Sequence, residues 1–85
     1  MEELLYRKFN VGNITIIYNT EYAGEAASLK GAILEEWSDC KINKMGINGA
    51  INNATYQVQL DGSIVYTARS AGDNTTIINS IKARL

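Results

Sequence analysis

Cys40 is the chain's one sulfur nucleophile, and no histidine stands anywhere among the 85 residues. Those two facts bound the chemistry. Without His, the usual general base, the usual zinc ligand and every Ser-His or Cys-His pair are missing. A single Cys forms neither an intrachain disulfide nor a dithiol redox couple. Pro is absent too, so no X-Pro bond exists and cis peptides are not expected. A second grouping, Asn19-Thr20-Glu21-Tyr22, stands just ahead of a helical pattern. Free N–H groups and the helix dipole favour an anion at such a point. Glu21 opposes this unless it turns to solvent or caps the helix itself. The stretch is therefore either a plain polar loop or a binding site for a small acidic ligand or a peptide.

Other groupings carry less. Gly46-Ile47-Asn48-Gly49 lacks the Lys-Ser/Thr ending and the following helix of a phosphate loop. Asp61-Gly62 lacks the carboxylate series of a calcium loop. Glu35, Glu36 and Asp39 fit a solvated helix end better than a cation site. Tyr18, Tyr56 and Tyr66 alternate with polar residues, which suits half-buried sheet packing more than an exposed stacking surface. Trp37 stands at helical spacing from Ile33 and Leu34 and belongs to a core. No metal and no cofactor is expected.

The elements that position these residues follow from periodicity. Ile14-Thr15-Ile16-Ile17-Tyr18 is β-branched or aromatic throughout and predicts a buried central strand. Residues 3–9 suit a strand that pairs with it as an edge hairpin across the turn at 10–13. A helix fits residues 24–38, with Ala26, Leu29, Ile33, Leu34 and Trp37 on one apolar face. Residues 40–45 alternate as a short strand, and 46–53 form a loop. Thr55 to Leu60 and Ile64 to Thr67 flank Asp61-Gly62, a strong hairpin signal. Asp73 or Asn74 caps a last helix, whose stripe is Ile77, Ile78, Ile81 and Leu85. Lys82 and Arg84 favour the negative end of its dipole. The order is (β)-β-α-β-β-β-α. A strand, crossover helix and second strand imply a parallel, right-handed unit.

Length and charge narrow the partners. A chain this short buries only about 60–65% of its unfolded surface, so its core is small and it forms one domain. Lys and Arg total 8 against 9 Asp and Glu, for a net charge of −1. The cations are scattered, which disfavours nucleic acid. No apolar run approaches the roughly 20 residues that span a bilayer, and the first residues do not make a signal peptide. The expected location is cytoplasmic. The three N-x-Thr triplets, at Asn13, Asn53 and Asn74, are then chance products of an Asn-rich chain. The richness in Asn, Ile, Lys and Tyr suits an AT-rich genome, viral ones included.

With these elements placed, the chain resembles the selenoprotein W-like (Rdx) family of small thioredoxin-fold proteins over about residues 14–85. The resemblance rests on Ile16-Ile17-Tyr18, on the helix over 26–37 and on Cys40-Lys41-Ile42 entering the second strand. The hairpin Tyr56-Gln57-Val58-Gln59-Leu60-Asp61-Gly62-Ser63-Ile64-Val65-Tyr66 and the last helix over 77–85 complete it. The family's chemistry resides in Cys-x-x-Cys, or Cys-x-x-selenocysteine, directly after that first Tyr. Here Asn19 and Tyr22 hold those two positions, and neither forms the thiolate that a mixed disulfide needs. A register slip does not help, because no Cys precedes position 40. The approach to Thr55-Tyr56 likewise lacks the cis-Pro of thioredoxins proper.

The resemblance implies a single α/β, thioredoxin-like domain over residues 1–85, with a mixed four- to five-stranded sheet and two helices. Residues 1–13 form an N-terminal extension, which either adds an edge strand and an interface or simply covers apolar surface. Cys40 is placed across the molecule from Asn19, Thr20, Glu21 and Tyr22. The expected function is non-catalytic, exerted through a protein partner or through self-association into a homo-oligomer, with no nucleic acid and no membrane. Two alternatives stand beside it. One is a residual redox protein that uses Cys40 with glutathione; the other is a small-ligand binder at residues 19–22.

Overall fold

A computed structural model describes residues 12–51 and 53–85. They form a small α/β domain with a four-stranded mixed sheet and two helices. The elements are β1 (Asn13–Asn19), a 3-10 turn (Thr20–Tyr22), α1 (Ala23–Glu36), β2 (Lys41–Ile47), β3 (Tyr56–Leu60), β4 (Ser63–Ala68) and α2 (Asn74–Lys82). Strand order is β2-β1-β3-β4. β1 runs parallel to β2, from Asn13 opposite Lys41 to Asn19 opposite Ile47. It runs antiparallel to β3, from Ile14 opposite Leu60 to Tyr18 opposite Tyr56.

The β-branched run of β1 is therefore central, as its lack of polar alternation predicts. That centrality overturns one expectation. With β2 on one side and β3 on the other, β1 has no free edge for residues 3–9 to join as a hairpin. The 3–9 segment itself lies outside the described residues. The extension is also shorter than the 1–13 expected, because Asn13 is already paired.

The core forms on one face of the sheet. Ile14 and Ile16 of β1 and Tyr56 and Val58 of β3 pack against Ala26, Leu29, Ile33 and Trp37 and against Ile77, Ile78 and Ile81. Both helices thus cover the same face, and each fully buried Ile or Leu contributes about 1.5–3 kcal/mol. The helices also touch each other: Asn74 Nδ2 donates to Ser28 Oγ at 3.1 Å, and Lys82 Nζ lies 3.3 Å from Glu36 Oε1. That ion pair is exposed and adds little.

Several boundaries moved for local reasons. α1 stops at Glu36, two residues short of the expected end. Trp37 leaves the helix at φ −138° while its N–H still donates to the Ile33 carbonyl. This places the indole in the core although it is no longer helical. Leu34 is only half-buried. Leu85 is 62% exposed, beyond the end of α2, and does not join the stripe. Cys40 precedes β2 instead of opening it, and Gly46 and Ile47, expected in the loop, belong to β2. The Gly46 placement has a packing reason. A Cβ there would meet the Tyr18 ring at 3.3 Å, a tight contact, so the bare position lets the neighbouring strand's ring lie close against it.

The hairpin follows its signal. Asp61 and Gly62 have φ +50° and +88°, the two left-handed residues that match the twist of paired strands. A bulge between Val58 and Gln59 leaves Val65 without a cross-strand partner. As a result, consecutive residues Val65 and Tyr66 both pack against the core. Asp73 caps α2, its carboxylate accepting from the Thr76 N–H at 2.9 Å.

Candidate functional site

The two ends of β1 hold the two groups singled out by the sequence. Seven extended residues separate them, about 20 Å.

At the C-terminal end, Asn19 closes the strand and starts the 3-10 turn. Its Oδ1 accepts from the Glu21 N–H at 3.0 Å, and its Nδ2 donates to the Gly49 carbonyl at 3.0 Å. Its own N–H donates to the Thr55 carbonyl at 2.9 Å. Thr20 Oγ1 donates to Asn48 Oδ1 at 3.4 Å. The structure therefore brings Asn19, Thr20 and Glu21 together at an exposed rim and joins them to the loop after β2. Asn19 caps the 3-10 turn, α1 has no side-chain cap at Tyr22, and the Glu21 side chain is exposed and caps neither. The Glu21 N–H at this junction is thus taken by the chain's own amide.

Tyr22 faces differently. It is half-buried, and its ring meets Tyr56 edge-on, with centroids 6.1 Å apart and planes at 86°. Tyr56 was expected to be half-buried on the sheet; it is fully buried. Its hydroxyl finds no hydrogen-bond partner among the described residues. Burial, then the Glu25 carboxylate, then Tyr66 push it up to about 12. Tyr18 and Tyr66 are half-buried, as the alternation predicts. The Tyr66 hydroxyl lies where a Cβ of Gly72 would be, so a side chain there would displace the Tyr66 ring.

At the other end, Cys40 packs into the edge of the core. Its thiol lies 3.6 Å from the Gly12 carbonyl and 3.7 Å from that of Lys41, and donates weakly to both. Around it the backbone is tied down. Asp61 accepts from the Asn13 N–H at 3.0 Å and its own N–H donates to the Asn13 carbonyl at 2.8 Å. Gly12 sits at φ +103°, and a Cβ there would lie 2.6 Å from the Asp61 carboxylate. Burial raises the Cys40 thiol above its ordinary value, and Asp39 and Asp61 raise it further. Each cause disfavours the thiolate, which is the reactive form. The site is the opposite of the electropositive, exposed surroundings that activate a cysteine.

Two residues of this rim were not singled out for a role. Asn48 and Gly49 lie 28 and 30 positions from their partners Thr20 and Asn19, and no periodicity signals such a contact. Among the described residues, no three His, Cys, Asp or Glu side chains are grouped to hold a metal ion. No helix there is long and apolar enough to cross a membrane. No family model, no curated protein and no solved structure matches the chain.

Proposed function

We propose that the protein is a non-catalytic binding module on a thioredoxin-like scaffold of the selenoprotein W-like kind, working through a protein partner or through self-association. The observation that carries this reading is the content of the β1–α1 junction. The resembling family keeps its redox pair at that junction; here Asn19 and Tyr22 spend their side chains on a cap, a loop tie and a ring contact. The strand order β2-β1-β3-β4, with both helices on one face, supports the scaffold assignment. The distant, buried Cys40 supports the absence of thiol chemistry.

Thiol accessibility tests the reading. In the folded protein, Cys40 should react with a thiol reagent far more slowly than in denaturant, and glutathione disulfide should leave it unmodified. Its rate should climb only above the ordinary thiol range, because the folded thiol holds its proton more tightly than the unfolded one. Fast modification near neutral pH would overturn the non-catalytic reading in favour of a one-cysteine redox protein. Solution mass and capture from the native host then separate self-association from a foreign partner.

A further inference from the structure

Asn48 is the one Asn of the chain followed by Gly. Both residues are exposed, and Gly49 stands at φ +137° with open space where a Cβ would be. The bare glycine lets its backbone nitrogen approach the preceding side chain without steric opposition. The Asn48 carbonyl oxygen, Oδ1, has the Thr20 hydroxyl 3.4 Å away as its donor. That oxygen is the atom on which negative charge builds when Cγ is attacked. A donor aimed at developing charge lowers the barrier, and such bonds are often long before reaction and shorten during it.

We propose that Asn48 is a self-modification site, where the Gly49 nitrogen attacks Asn48 Cγ with the Thr20 hydroxyl stabilising the oxygen. The bond between Gly49 N and Asn48 Cγ forms, and the Gly49 amide proton passes to hydroxide or water. The Cγ–Nδ2 bond breaks, and the side-chain nitrogen leaves as ammonia with a proton from water. Water then opens the cyclic imide at either carbonyl, giving Asp or isoaspartate at position 48. No electrons are transferred and no co-reactant other than water is needed.

The product changes this rim in two ways. A carboxylate replaces a neutral amide beside Thr20 and Glu21. In the isoaspartate form, an extra methylene enters the backbone and shifts the Gly49 carbonyl away from the Asn19 Nδ2 that holds it at 3.0 Å. Asp61-Gly62 offers a contrast, since its carboxylate is already engaged by the Asn13 N–H and is a poor electrophile when ionised. The inference is independent of the binding role proposed above.

The test incubates the full chain at mildly alkaline pH, with and without denaturant, and locates amide-to-acid conversion by tandem mass spectrometry. Isoaspartate is scored by enzymatic methylation. Asn48 should convert faster than every other Asn, and several-fold faster in the folded protein than in denaturant. Thr20→Val should bring the folded rate down toward the denatured one. If Asn48 converts faster when unfolded, or if Thr20→Val leaves the rate unchanged, the assisted mechanism is wrong. If another Asn converts first, the site assignment is wrong.

Discussion

The two ends of β1 are built from different materials. Around Cys40, backbone binds backbone: Lys41 to Gly12, Asp61 to Asn13, with one carboxylate filling the space that a side chain at position 12 would need. Around Asn19, the ties run through side-chain amides and a hydroxyl, and the atoms are exposed. The first arrangement holds position 12 to glycine; the second is made of exposed side-chain bonds. The thiol thus stands at the end where burial and two carboxylates suppress its thiolate, and the side-chain ties stand at the other.

The sharpest way to break the contrast is Gly12→Ala. It imposes a left-handed backbone on a residue with a Cβ and displaces the Asp61 carboxylate, and should cost about 2–4 kcal/mol by denaturant unfolding. A loss below about 1 kcal/mol would mean that the end near Cys40 is no more rigid than the other. Asn19→Ala should cost less, about 1 kcal/mol, by removing the cap. Asn19→Asp should recover part of that loss, because it restores the acceptor for Glu21 while losing the donor to Gly49. Equal losses for Ala and Asp would show that the tie to Gly49, and not the cap, dominates.

Tyr56→Phe carries the smallest change and an opposite sign. Its hydroxyl is buried without a partner among the described residues, so deleting it should be neutral or stabilise by up to about 1 kcal/mol. The pH dependence checks the cause. Tyr56 holds its proton up to about 12 when folded, against about 10 when unfolded. Its contribution is therefore complete below pH 10 and is lost as pH climbs through that interval. The Phe variant should lack this alkaline decline.

Much of the fold was legible because it depends on local grammar. The run Ile14-Thr15-Ile16-Ile17-Tyr18 marked a central strand, Asp61-Gly62 marked the turn, and Asp73 marked the cap. What escaped depends on neighbours distant in sequence. Gly46 looked like a loop residue, since nothing near it reveals that the Tyr18 ring lies against it. Trp37 kept its burial but lost its helix, because core contact and helical geometry separate at a C-terminus. The placement of Cys40 away from residues 19–22 followed from topology alone. The ties from Asn19 and Thr20 to Gly49 and Asn48 did not, because they connect two loops without any repeat or period.

The central position of β1 also has a consequence in time. The β3–β4 hairpin closes over a two-residue turn and can form within microseconds of its synthesis. Of the four described strands β1 emerges first, but it receives its second neighbour among them only when β3 arrives. Until then its β-branched run presents an unpaired edge, the feature most prone to pairing with another chain. Early in its synthesis, the chain's strongest strand is thus also its most hazardous one.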